Sequence, residues 1–121
     1  MTHGTIAWIQ VDTDDPKDAE RFYGELFDWA FAQDPDDDTY RLISRVGADG
    51  PHGGIRDTRG ASPNRAIFLA IVSDVAATVE HAERLGGTVV TPPTKTPNGL
   101  VFADLKDPAG NQFGVFTPPA V

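Results

Sequence analysis

The 121-residue chain contains no cysteine, which excludes disulfides, thiolate metal sites and cysteine nucleophiles. It has no apolar run near the ~20 residues that a membrane-spanning helix requires; its longest apolar stretches are of strand length. The N-terminus, MTHGT, has neither a basic segment nor an apolar one, so no secretory signal is expected and the cytoplasm is the expected location. Basic residues are scarce. Ten Lys and Arg stand against 18 Asp and Glu, for a formal net charge of −8, and this argues against nucleic acid or an anionic membrane surface as a partner. Phosphate-cradling GxxxxGK[ST], a GxGxxG opening a helix and a Ser-His-Asp signature are all missing.

What is present is a repeat. Ile6–Phe31, IAWIQVDTDDPKDAERFYGELFDWAF, is echoed about sixty residues later by Ile67–Val90, IFLAIVSDVAATVEHAERLGGTVV. Each reads as an apolar strand, an aspartate opening a helix, a leucine near the helix end and a returning strand. In the first copy, Thr5–Val11 is the strand, and Ile6, Trp8 and Gln10 share one face of it. Asp12–Asp15 reads as a turn, with Asp15 as N-cap and Pro16 at the first helical position. Ala19, Phe22, Tyr23, Leu26 and Phe27 form one apolar stripe of a helix over Pro16–Phe27. Strands follow at Trp29–Gln33, Tyr40–Val46 and His52–Asp57. Asp34, Asp36 and Asp38 begin like a calcium loop, but Thr39 stands where glycine is needed and Arg45 where glutamate is, so DPDDD is a hairpin tip.

In the second copy, the strand is Ala66–Val72 and the helix opens at Asp74. Val75, Val79, Ala82 and Leu85 are expected to face the core, and Gly86 or Gly87 to close the helix. Thr88–Thr91, Val101–Lys106 and Gln112–Thr117 complete the strands, the last two joined by a turn at DPAGN. The fold class is therefore α+β. Two βαβββ modules, about residues 5–57 and 65–117 with a joint at 58–64, form one domain over residues 1–121, a curved mixed sheet around a cleft with helices on its outer face.

The Asp15-Pro16 helix with Phe22-Tyr23 and Leu26, the Val72-Ser73-Asp74 helix start with Leu85-Gly86-Gly87, and Phe102-Ala103-Asp104 followed by Asp107-Pro108-Ala109-Gly110-Asn111 together resemble the vicinal oxygen chelate superfamily, which holds glyoxalase I, bleomycin-resistance proteins and extradiol dioxygenases. The resemblance spans almost the whole chain. It implies paired βαβββ modules, a cleft open to small molecules, and pairing into homodimers. Enzymes of that superfamily bind a divalent metal through His and Glu. The matching positions here are Trp8, Phe68 and Gly114, with a fourth near Gly53–Ile55, and none of the three can ligate a cation. No metal or other cofactor is expected. His3, His52 and His81 are too scattered to replace the missing set, and only His52 is expected near the cleft.

If those positions mark the inward face, the candidate ligand-binding residues are Trp8, Gln10, Tyr40, His52, Arg56, Phe68, Ala70, Gly114 and Phe116. Trp8 and Phe68 offer aromatic faces, Tyr40 a hydrogen-bond donor, Arg56 a planar fork for a carboxylate, and His52 a group that titrates near neutral pH. The functional reading is a glyoxalase- or bleomycin-resistance-like protein that binds a small aromatic or amphipathic molecule in an apolar cleft. The alternative is a glyoxalase-like lyase or isomerase, or a dioxygenase, with a non-standard or metal-free active site. A cleft filled by its own aromatics, and serving no ligand, is a third.

Overall fold

A computed structural model of the protein describes residues 3–119. The described residues form eight strands and two helices in a mixed α+β arrangement with the βαβββ pattern used twice. The elements are β1 (Ile6–Thr13), α1 (Pro16–Phe27), β2 (Ala30–Asp34), β3 (Asp37–Ser44), β4 (Gly53–Asp57), β5 (Arg65–Ile71), α2 (Val75–Arg84), β6 (Thr88–Lys95), β7 (Val101–Lys106) and β8 (Gln112–Thr117). The chain divides into two compact units, one from Trp8 to Ala66 and one that takes Ile67 onward together with the chain before Trp8.

In the Trp8–Ala66 unit the strands lie in the order β2-β3-β4-β1. β4 is antiparallel to β3 and parallel to β1. α1 starts as its sequence dictates: the Asp15 carboxylate accepts from the Asp18 N–H at 3.2 Å, and proline takes the first turn. It ends at Asp28, whose left-handed backbone (φ 58°) lets its N–H reach the Gly24 carbonyl at 2.9 Å. Ile43 and Ile55 share the face toward α1 and are fully buried, and Arg41 on that face pairs with Glu20 of the helix at 2.9 Å. The apolar stripe of α1 is only partly covered: Phe22, Leu26 and Phe27 are each more than half exposed.

In the other unit the order is β5-β8-β7-β6, again with the first and last strands parallel. Asp74 caps α2 by accepting from the Ala77 N–H at 3.0 Å. Val75 and Val79 pack with Val72, Ala103, Leu105 and Val115 in the core. Leu85, expected in that core, is 66% exposed, because the helix stops at Arg84 and Leu85 is already its C-cap. Gly86 (φ 96°) supplies the left-handed residue after it. At DPAGN the Asp107 carboxylate accepts from the Ala109 and Asn111 N–H groups and from the Asn111 side chain, all within 3.0 Å. These bonds hold its pKa below the usual carboxylate value, the Asn111 side chain most of all.

The strands differ from expectation at their ends. β1 runs on through Asp12 and Thr13, which are paired to Arg56 and Asp57 rather than turning. β3 begins at Asp37, three residues early, and the hairpin tip is correspondingly short. β6 continues through two prolines to Lys95, its pairing to β7 slipping twice on the way. Prolines are tolerated where ladder bonds are already interrupted.

Candidate functional site

Register decides which side chains share a face. In the Trp8–Ala66 unit Gln10 lies opposite Gly54, and Gly54 opposite Leu42; Asp12 lies opposite Arg56, and Arg56 opposite Tyr40. With Trp8 two residues before Gln10, the face away from α1 therefore carries Trp8, Gln10, Asp12, Tyr40 and Arg56. Four of these were expected as site residues. Asp12 was not.

Their polar groups form a single directed chain. Arg65 Nε donates to Asp12 Oδ2 at 3.1 Å. Gln10 Nε2 donates to Asp12 Oδ1 at 2.8 Å. Tyr40 Oη donates to Gln10 Oε1 at 3.2 Å, and Trp8 Nε1 donates to Tyr40 Oη at 2.9 Å. The direction is forced. An ionised carboxylate only accepts, so the Gln10 amide must turn its NH₂ to Asp12 and its oxygen to Tyr40. Tyr40 must then donate, which leaves an oxygen lone pair for the indole N–H. Asp12 is 4% exposed, and Arg65 compensates its buried charge.

Tyr40 is held on both sides. Its ring lies across Gly54, where a Cβ would sit 1.9 Å from the ring carbon Cε1, and the Arg56 guanidinium lies over it at 4.9 Å from the ring centroid. Arg56 is in turn anchored through Nη1, to Asp37 at 3.5 Å and Thr39 Oγ1 at 3.4 Å. The Asp37 pKa is lowered, first by its bond from the Thr39 hydroxyl. Burial pushes the Tyr40 phenol up to about 12, against smaller lowering effects of Trp8 and Arg56. Tyr40 is thus a neutral donor across the ordinary pH range, and it braces Trp8 from behind rather than presenting itself: it is 7% exposed.

The remaining candidates lie elsewhere. His52 stacks edge-on to Trp29, ring centroids 5.4 Å apart, in a cluster with Tyr23 and Phe27. That places it with α1 residues and not with Tyr40 and Arg56, and its Nδ1 is buried without a hydrogen-bond partner among the described residues. In the second unit, Gly114 and Phe116 lie opposite Leu69 and Ile71. Phe68 and Ala70 face the other way, with Phe113 and Val115 on the α2 side; the Phe68 and Phe113 rings stack at 5.6 Å. The shared face expected for Phe68, Ala70, Gly114 and Phe116 is thus one residue out of register on β5. A groove on the α1 side of the first unit, lined by Asp15, Lys17, Glu20, Asp38, Arg41 and Asp57, contains none of the expected residues. Among the described residues no three His, Asp or Glu side chains come together in a way that could hold a metal ion.

The Glyoxalase-like domain family model matches residues 8–116. The chain belongs to that family, and its fold is that of the vicinal oxygen chelate proteins. It is 35% identical over 114 residues to the anthracycline biosynthesis protein DauV of Streptomyces sp. strain C5 and 34% identical over 115 residues to DnrV of Streptomyces peucetius. Each match covers 93% of this chain but 41% of the relative, so the chain spans about two-fifths of the length of these proteins. Among solved structures, the Mn(II)-bound glyoxalase from Novosphingobium aromaticivorans superposes with a TM-score of 0.71 at 22% identity, over 97% of this chain and 40% of that one. A variant of Streptomyces coelicolor methylmalonyl-CoA epimerase, in complex with 2-nitronate-propionyl-CoA, gives 0.67 at 15% identity, over 99% and 98%. At these identities the structures establish the fold.

Proposed function

We propose that this glyoxalase-like protein binds a small aromatic organic molecule on the face formed by Trp8, Gln10 and Arg56, and does so without the divalent metal used by enzymes of its superfamily. The observation that carries this reading is the fixing of the Trp8 indole by Tyr40, with Tyr40 itself seated on Gly54 and under Arg56. An aromatic surface held in one orientation loses little conformational entropy when a flat molecule settles on it. The donor set does not fit a divalent cation. Trp8 offers only an N–H, already committed to Tyr40, and neither Phe68 nor Gly114 carries a side-chain atom that ligates a cation. The names of the Streptomyces relatives, given for anthracycline biosynthesis, support a polycyclic aromatic as the class of ligand.

The reading includes a cytoplasmic location and a homodimer, supported for the latter by the half-exposed Phe22, Leu26 and Phe27 on α1. The test uses a Trp29→Phe chain, in which Trp8 is the remaining tryptophan. Saturable quenching of its emission by planar aromatics, lost in Trp8→Phe binding measured by calorimetry, is the expected result. A stoichiometric transition metal in protein purified without chelator would overturn the metal-free reading.

A further inference from the structure

We propose that the Trp8–Arg56 face selects planar ligands whose edge carries hydrogen-bond acceptors, neutral or anionic, and discriminates against cationic ones. This rests on the reading of the face as a ligand site and names the chemistry it takes.

Most polar atoms of this face are already bonded to one another. The Trp8 N–H is bonded to Tyr40, the Tyr40 hydroxyl both donates and accepts, and both Asp12 oxygens are engaged by Gln10 and Arg65. The oxygens of Asp12 and Tyr40 keep lone pairs, but these residues are only 4% and 7% exposed, which withdraws them from a ligand. The groups turned to a ligand are mainly donors. The contacts of Arg56 to Asp37 and Thr39 both run through Nη1, so its Nη2 and Nε carry the remaining N–H groups of the fork. Gln10 Nε2 has a second N–H beyond the one given to Asp12. Donors of this kind recognise carbonyl, phenolate or carboxylate oxygens. A ligand edged with its own donors would find fewer partners there and lose hydrogen bonds to water.

Charge points the same way at close range. The place a cation would take over Tyr40 is filled by Arg56, itself paired with Asp37 at 3.5 Å, so a ligand cation would have to displace it. The net charge of −8 favours cations over the surface as a whole, but that field is screened within ~8 Å at physiological salt. The site and the bulk charge thus predict opposite preferences.

Quenching of Trp8 in the Trp29→Phe chain would be compared for two flat three-ring probes at about 0.15 M salt: anthraquinone-2-sulfonate, anionic and edged with carbonyls, and proflavine, cationic and edged with amines. The expected result is saturable binding of the anthraquinone at least about tenfold tighter than proflavine, a loss of about tenfold in Arg56→Met, and a smaller loss in Arg56→Lys, which keeps the charge without the fork. Circular dichroism reports whether each variant is folded; if Arg56→Met is not, Arg56→Lys decides. Tighter binding of proflavine, or an affinity for the anthraquinone indifferent to the change at Arg56, would overturn the selectivity while leaving an aromatic site standing. Failure of both probes to quench Trp8 would overturn the site and the selectivity together.

Discussion

Gly54 shows how one small residue sets the geometry of several large ones. A Cβ there would fall 1.9 Å from the Tyr40 ring, and the ring cannot retreat without giving up Trp8 and Gln10. Gly54→Ala is therefore expected to destabilise the protein by about 1–3 kcal/mol, measured by urea unfolding, and to shift the emission of Trp8. Tyr40 makes a second prediction at this scale. Its folded pKa, about 12, lies above the ~10 of an exposed phenol. Between those values the unfolded chain has released a proton that the folded chain keeps. This contribution is whole below about pH 10 and declines as the pH rises toward the folded value. Tyr40→Phe removes that slope, so the difference in urea midpoint between wild type and variant should narrow from about pH 9 to pH 11. Trp8 and Gln10 were legible as one face because strand alternation pairs them, while Tyr40 and Arg56 were named for their chemistry and join that face through the register of β3, β4 and β1. Asp12 was not, because the run Asp12–Asp15 has the composition of a turn, and only pairing to Arg56 extends the strand through it. His52 precedes β4, outside its alternation, and packs on Trp29 instead.

At the scale of elements, both helices were readable at their N-caps, since Asp15-Pro16 and Asp74 are chemical signals as well as periodic ones, whereas the end of α2 was not, Leu85 being its exposed C-cap. Replacing Asp74 with Ala should cost about 1 kcal/mol in urea unfolding. The facing of β5 was not readable. IFLAIV is apolar at every position, so nothing in the run marks one face as buried and the other as wet. A slip of one residue exchanges the faces, and the structure puts Leu69, not Phe68, across from Gly114. A Cβ on Gly114 would meet the Leu69 side chain at 2.7 Å. Gly114→Ala is expected to destabilise by about 1–3 kcal/mol, with part of the loss recovered by adding Leu69→Ala and none by adding Phe68→Ala. Recovery through Phe68 would contradict the register.

For the whole molecule, the βαβββ repeat was legible because it is carried by order and spacing rather than by any single residue. Of the expected site residues, Trp8, Gln10, Tyr40 and Arg56 share one face of the Trp8–Ala66 unit, where polar residues interrupt the apolar pattern. The curated relatives are more than twice the length of this chain, and α1 leaves Phe22, Leu26 and Phe27 half exposed. Light scattering on the purified chain is expected to give twice its 13.0 kDa mass, and Phe22→Glu with Leu26→Glu to give a single mass with the helix content retained. A wild-type chain that elutes as a monomer would remove the homodimer from the reading.

In each unit the opening strand lies beside the closing one: β1 beside β4, β5 beside β8. A polypeptide emerging from the ribosome therefore carries β1 without its β4 neighbour until Gly53–Asp57 has been synthesised, and the whole of α1, β2 and β3 is made in the interval. Closure across so long a loop is slow relative to local hairpins. Truncation just before Gly53 should leave an aggregation-prone nascent fragment, whereas extension by those five residues supplies the β4 neighbour.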